Sequence, residues 1–99
     1  MVTKLIKFSA AWCQPCKVFA KTFEKVADME EYKGIEFKSI DIEEDEDGEI
    51  LAEKFQVRSV PTVVILDEND EQIYKLSGNL PLKDFTDVLN NAIGEKNEQ

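Results

Sequence analysis

The chain has 99 residues, of which 42% are hydrophobic and 33% are charged, and its formal net charge is −9. A chain of this length makes one domain that buries roughly 60 to 70% of its unfolded surface, which is enough for a core without extra staples. The negative charge, with no basic patch in the sequence, argues against nucleic acid and anionic membranes as partners, because both would repel this surface.

The N-terminal residues argue against a signal peptide. Lys4 and Lys7 interrupt the apolar residues of MVTKLIKFSA, and no stretch approaches the ~20 apolar residues that a membrane span needs. We therefore expect a cytoplasmic protein with no membrane partner. In a reducing compartment, a cysteine pair is more often catalytic or metal-binding than structural.

The first half of the chain is predicted to form a strand, a helix and a strand. VTKLIKFS from Val2 reads as a strand, and a helix begins at or just after Cys13, with Pro15 in its first turn. Apolar residues at helical spacing continue this helix, which is expected to end near Gly34. They are Phe19, Phe23 and Val26. Residues 35–42, IEFKSIDI, alternate as a strand does.

The second half adds a short helix around Leu51, two strands and a final helix, giving the order βαβαββα. SVPTVVIL reads as a buried strand, and QIYKLS is its predicted hairpin partner. The last helix has Pro81 near its first turn and Gly94 at its end. We predict a single domain over residues 1–94, followed by a frayed polar tail over residues 95–99.

This order predicts an α/β architecture with a central mixed sheet. Two βαβ units supply parallel strands, the hairpin adds an antiparallel edge, and helices cover both faces. The two cysteines then lie where a strand ends and a helix begins, which is where open α/β sheets place their active sites.

Cys13 and Cys16, the only cysteines, are spaced for thiol–disulfide chemistry. A cysteine at a helix N-terminus is shifted toward the reactive thiolate by the unpaired backbone N–H groups and the positive end of the helix dipole. Cys16 lies about one turn along the same face, so it can attack a mixed disulfide formed at Cys13.

Three other interpretations are weaker. A closed zinc site needs about four ligands, and the chain has two cysteines and no histidine, although a metal bridged between two chains is formally possible. A structural disulfide would close a trivial loop and restrict the unfolded chain little. The loop EEDEDGEI has acidic residues at calcium-loop offsets, but Lys54 stands where the bidentate glutamate should be and no long helix precedes it. This loop is expected to be solvated, with docking of a basic partner as the alternative.

FSAAWCQPCK, VRSVPTVVIL and LSG, in this order and at this spacing, resemble the thioredoxin family from about Val2 to Ile93. The resemblance implies a thioredoxin-like fold, with Cys13 as the exposed nucleophile and Cys16 as the buried resolving thiol. Trp12 would shield the site from the side.

The resemblance also implies a substrate groove. Pro61, after Val60, falls where the family keeps a cis proline facing the cysteines, and the Val60 backbone would pair with an extended substrate segment. Gly78 would complete the groove, because its missing side chain lets the substrate backbone approach.

The sequence departs from the family pattern in three ways. The usual family chain has a further strand and helix in front of this core, whereas here residues 1–12 alone precede Cys13. Gln14 stands where thioredoxins mostly have glycine, although Pro15 fits, and these two residues tune the thiols, which leaves the reduction potential open. Lys7 occupies the position, six before the first cysteine, of a buried aspartate thought to help proton transfer at the resolving thiol.

Lys7 therefore has three possible roles. A buried ammonium would stabilise a thiolate and make the disulfide a stronger oxidant. A neutral amine would serve as a base for Cys16. Alternatively, Lys7 pairs with Glu36 or Asp41 on the neighbouring strand and barely touches the thiols, which is the role that we expect because buried lysines are usually paired.

We predict a monomeric thiol–disulfide oxidoreductase that reduces protein disulfides through a reversible Cys13–Cys16 dithiol. The chain needs no cofactor or metal of its own, and by resemblance a thioredoxin reductase with flavin and NADPH reduces it. The alternative is a redox-idle binding module with the same fold, which docks a partner through the Trp12, Val60, Pro61 and Gly78 groove.

Overall fold

The computed structural model describes residues 1–97. It contains a four-stranded sheet, three α-helices and one 3₁₀ turn, in an order that agrees with the predicted βαβαββα. The elements are β1 (Val2–Ser9), α1 (Gln14–Ala27), the 3₁₀ turn (Glu30–Tyr32), β2 (Glu36–Asp41), α2 (Gly48–Lys54), β3 (Thr62–Asp67), β4 (Gln72–Ser77) and α3 (Leu82–Asn97). No helix in this part of the chain combines the length and apolar character needed to cross a membrane.

The sheet is mixed, with strand order β2-β1-β3-β4. Strands β1 and β2 are parallel, and β3 pairs antiparallel with both β1 and β4. The mixed α/β sheet is therefore confirmed, but the prediction that both βαβ units supply parallel strands is wrong for the second one. A helix of seven residues rises only ~10 Å, whereas a six-residue strand spans ~20 Å. Because α2 has seven residues, it does not carry the chain back to the far end of the sheet, and β3 starts beside the end of β1.

The helices cover both faces of the sheet, as predicted. Helices α1 and α3 pack on one face around Phe19, Phe23 and Phe85, and their rings contact one another with centroids 5.3 to 6.2 Å apart. On the other face, α2 covers a smaller cluster that includes Phe8 and Phe55. The cysteine end of β1 and α1 lies between these two clusters, so both faces of the sheet support it.

Helix α1 ends at Ala27, seven residues before the predicted stop at Gly34. The Asp28 backbone N–H caps the helix by donating to Glu24 O, and the chain continues into the 3₁₀ turn. Tyr32 in that turn is buried, and its hydroxyl donates to Asn90 of α3. Tertiary packing of one aromatic residue therefore decides where α1 stops.

Two further boundaries differ from the sequence-based expectation. Strand β3 starts at Thr62 rather than Ser59, because residues 59–61 form the turn that precedes it. Helix α3 continues past Gly94 to Asn97. The predicted frayed tail covers residues 95–99, and residues 98–99 lie outside the described residues. The frayed tail therefore stays a prediction.

Candidate active site

The two cysteines form a disulfide at the N-terminus of α1, with Cα atoms 5.2 Å apart. Cys13 is the N-cap residue, and its sulfur accepts a hydrogen bond from the Cys16 backbone N–H at 3.1 Å. A backbone donor aimed at the Cys13 sulfur at the positive end of a helix stabilises negative charge there. Local geometry therefore favours Cys13 as the thiolate of the pair.

The expectation that Cys13 is exposed is wrong for this disulfide-bonded structure. Cys13 is 4% exposed and Cys16 is 3% exposed, so burial does not distinguish them. Ala10 is buried with the pair, and Ile42 and Val60 pack against it. The loops after β2 and before β3 therefore cover the disulfide, which is a long-range effect that the motif does not contain.

The segment before β3 lies directly against the disulfide. The Cys13 sulfur is 3.7 Å from the Val60 carbonyl oxygen, and the Val60–Pro61 peptide bond is cis. Pro61 is buried, and its carbonyl accepts a hydrogen bond from the Gly78 N–H at 2.9 Å. Gly78 has φ +99°, a conformation that favours glycine, and it is exposed. The fold thus brings Val60 beside Cys13 and joins Pro61 to Gly78 by a backbone hydrogen bond.

Trp12 immediately precedes Cys13 in the chain. It is 62% exposed, and its Nε1 donates to Glu43 of the acidic loop at 3.0 Å. Trp12, Ile42 and Val60 share a mostly apolar groove of about 280 Å³. Of the four residues predicted for the substrate groove, Trp12 and Val60 line this groove.

Gln14 and Pro15 occupy the first turn of α1 between the cysteines. Both side chains are exposed, and proline is tolerated there because the first backbone N–H groups of a helix have no helical partner. Neither side chain contributes to the cluster around the disulfide.

Lys7 lies under α1 near Cys16. The residue is only 6% exposed, and its Nζ lies 5.3 Å from the centre of the Phe23 ring. Burial lowers the pKa of Lys7 from its ordinary value, and the charge of Glu24 opposes this shift. Lys7 lines an open cavity of about 170 Å³ together with Cys16.

The expected pairing of Lys7 with Glu36 or Asp41 is wrong. Among residues 1–97, the Lys7 side chain forms no hydrogen bond or ion pair. Lys7 aligns with Ser39, and Glu36 aligns with Lys4 at the far end of the strand. Asp41 lines the same cavity as Lys7, but its carboxylate accepts backbone N–H groups instead.

Asp41 organises the acidic loop after β2. Its Oδ1 accepts the N–H groups of Glu43 and Glu44, each at 2.8 Å. The hydrogen bonds from Glu44 and Glu43 lower the pKa of Asp41. Over the described residues, no three or more His, Cys, Asp or Glu side chains come together in an arrangement that could hold a metal ion. The acidic residues of this loop are exposed, and one of them holds Trp12.

Sequence reasoning missed two residues that support the site, Ile42 and Gly48. Ile42 packs on the disulfide, and Gly48 is buried at the start of α2 against the backbone of Asp41 and Ile42. Ile42 is the last apolar residue of the IEFKSIDI pattern, which is the one local signal for it. No local pattern marks Gly48, because the residues that it packs against lie six and seven positions earlier in the chain.

The chain is similar to known thioredoxins over most of its length. The thioredoxin family model matches residues 2–91. A Mycoplasma genitalium thioredoxin is 31% identical over 87 residues, covering 88% of this chain and 79% of the relative. A Staphylococcus haemolyticus thioredoxin is 33% identical over 87 residues, and the match covers 87% of this chain and 78% of the relative.

Solved thioredoxin structures share the fold. Malassezia sympodialis thioredoxin superposes with a TM-score of 0.74 at 28% identity, covering 90% of this chain and 74% of that one. Fasciola hepatica thioredoxin superposes with a TM-score of 0.74 at 25% identity, and the match covers 90% of this chain and 79% of that one. With its paired cysteines at the head of α1, the chain belongs to the thioredoxin family of thiol–disulfide oxidoreductases.

Proposed function

We propose that this protein reduces disulfides in other proteins, with Cys13 as nucleophile and Cys16 as resolving thiol. The observation that carries this assignment is the hydrogen bond from the Cys16 N–H to the Cys13 sulfur at the N-terminus of α1. This hydrogen bond supports a thiolate at Cys13, and attack on a disulfide requires the thiolate.

In the reaction, the Cys13 thiolate attacks one sulfur of the substrate disulfide, and the other substrate sulfur leaves as a thiolate. Cys16, deprotonated, then attacks the Cys13 sulfur of the mixed disulfide and expels the second substrate thiolate. The product on the protein is the Cys13–Cys16 disulfide, which is the form present in this structure. Two electrons have passed to the substrate.

Substrate docking is proposed to use the edge formed by Val60, Pro61 and Gly78. An extended segment that pairs with the Val60 backbone would bring its disulfide to Cys13, since the Val60 carbonyl lies 3.7 Å from the Cys13 sulfur. Exposed Gly78 leaves room for a backbone, and exposed Trp12, which shares a groove with Val60, adds apolar contact. Main-chain pairing demands little of the substrate sequence.

The Cys13–Cys16 disulfide must be reduced again before the next turnover. Because the chain needs no cofactor of its own in this scheme, the two electrons come from an external reductant. By family likeness we propose a thioredoxin reductase that draws on flavin and NADPH, and a cytoplasmic, monomeric protein. Gln14 and Pro15, exposed between the cysteines, are proposed to tune the thiols. Consumption of NADPH with a thioredoxin reductase and an insulin substrate measures this coupling.

Insulin reduction by dithiothreitol tests the activity. The protein should accelerate the appearance of turbidity, and the variant lacking both cysteines should not. No acceleration by the wild-type protein would favour a redox-idle binding module that uses the same groove.

Trapping of mixed disulfides tests the two roles. Cys16→Ser should accumulate covalent complexes with disulfide substrates, because Cys13 attacks and nothing resolves the product. Cys13→Ser should accumulate few. The complexes are counted on non-reducing gels, and equal trapping by both variants would contradict the assignment.

A further inference from the structure

The resolving cysteine and the buried lysine share one cavity. Cys16 and Lys7 both line the open space of about 170 Å³ beside the start of α1. Small residues, including Ala10 and Ala20, leave this space unfilled. A water molecule takes ~30 Å³ of liquid volume, so the cavity has room for water between the ammonium and the sulfur.

Among the described residues, Lys7 forms no direct ion pair at this cavity. The charged groups that face it are Lys17 and Glu24 from α1 and Asp41 from the end of β2, and β3 contributes none among the described residues. The Asp41 carboxylate is occupied by backbone N–H groups, and Glu24 is exposed and forms no ion pair with Lys7. In the disulfide state the Lys7 ammonium therefore has the charges of Glu24 and Asp41 nearby, but it makes no direct ion pair with either.

Reduction changes this balance, because it can place a negative charge on Cys16 opposite Lys7. We propose that Lys7 is a positioning charge for the resolving step, and that its ammonium stabilises the Cys16 thiolate across the cavity. This inference rests on the proposed function and extends it to a residue that differs from the aspartate of the family pattern. The proton of Cys16 leaves through water in the cavity, and the thiolate electron pair then forms the bond to the Cys13 sulfur.

The electrostatics of Lys7 agree with this role. Burial lowers the pKa of Lys7, which means that its positive charge is costly where it stands, and Glu24 recovers part of that cost. A thiolate at Cys16 would offset more of the cost of the Lys7 charge. It follows that Lys7 stabilises the reduced, charged form of the pair and makes the disulfide a stronger oxidant.

Lys7→Met tests the proposal, with Lys21→Met as a matched control on the exposed side of α1. The reduced protein is mixed with Ellman's reagent, which is itself a disulfide. Attack by Cys13 releases one thionitrobenzoate, and attack by Cys16 on the resulting mixed disulfide releases the second. Stopped-flow absorbance resolves the two phases. The pKa of Cys16 is measured separately in the Cys13→Ser background, and the reduction potential is measured against glutathione.

At pH values below the Cys16 pKa, we expect Lys7→Met to slow the second phase and to leave the rate of the first phase nearly unchanged. For each unit by which the Cys16 pKa rises, the thiolate fraction falls tenfold while nucleophilicity recovers about threefold, so the rate falls about three- to fourfold. At pH values above both thiol pKa values the variant should become the faster protein, because its more basic Cys16 thiolate is the better nucleophile. The Cys16 pKa should rise and the potential should become more negative, and Lys21→Met should match the wild type.

An unchanged Cys16 pKa in folded Lys7→Met overturns the proposal. A slower second phase with that unchanged pKa would identify Lys7 as a neutral base instead. Lys7→Gln is measured in the same way if circular dichroism shows that the Met variant is not folded. A wild-type protein that releases no thionitrobenzoate would contradict the proposed function, whereas two normal phases in both proteins would contradict the role of Lys7 alone.

Discussion

Gly48 is the position where the structure makes its sharpest stability prediction. A Cβ atom built on Gly48 would overlap the backbone carbonyl oxygen of Asp41 and would lie 2.9 Å from the Cα atom of Ile42. Both neighbours are backbone atoms at the end of β2, so neither can rotate away. Gly48→Ala therefore forces α2 and the loop before it apart.

The expected cost follows from two opposing effects. Overpacking in a well-packed region costs about 1 to 3 kcal/mol, whereas replacing glycine by alanine stiffens the unfolded chain and stabilises by about 0.4 to 1 kcal/mol. The added Cβ atom overlaps backbone atoms, which cannot move aside as a flexible side chain can. We therefore expect the overpacking effect to be the larger of the two. In a domain of this size, each kcal/mol corresponds to about 4 to 8 °C in Tm.

Gly94→Ala is the matched control. Gly94 is a helical residue of α3, and a Cβ atom placed on it meets nothing within 4 Å. The same chemical change should therefore stabilise the protein by about 0.4 to 1 kcal/mol. Urea unfolding followed by far-ultraviolet circular dichroism measures both variants. A Gly48→Ala protein as stable as the wild type would refute the close approach of α2 to the end of β2.

Two further predictions concern the core and the acidic loop. Phe85 is fully buried between two phenylalanine rings of α1, so Phe85→Ala should cost about 3 to 5 kcal/mol in urea unfolding, whereas Val18→Ala, on the exposed side of α1, should change stability by less than about 0.5 kcal/mol. A loss below 1 kcal/mol at Phe85 would contradict its place in the core. Hydrogen bonds from backbone N–H groups lower the pKa of Asp41, so its stabilising contribution is present above the unfolded pKa and is lost as pH falls through the folded one. Asp41→Asn should then be less stable than the wild type at about pH 6, and the difference should shrink toward about pH 2; a difference that is constant with pH would show that the charge of Asp41 is not involved.

Local patterns in the sequence predicted the elements that carry the site. Strand β1, with its apolar pattern, and the start of α1 at Cys13 and Pro15 follow from properties of a few neighbouring residues. The same holds for the chemistry of the cysteine pair, because a three-residue spacing and a helix N-terminus are local features. The family resemblance rests on such local motifs as well.

Tertiary structure decided what depends on partners distant in the chain. The direction of β3 depends on whether α2 is long enough to span the sheet, and the burial of Cys13 depends on Ile42 and Val60 from other loops. Lys7 forms no ion pair with Glu36 because of the strand register. The register aligns Lys7 with Ser39 and aligns Glu36 with Lys4. The sequence by itself determined that two thiols meet at a helix N-terminus; only the packing of distant segments determined what surrounds them, because burial and charge pairing are properties of neighbours in space.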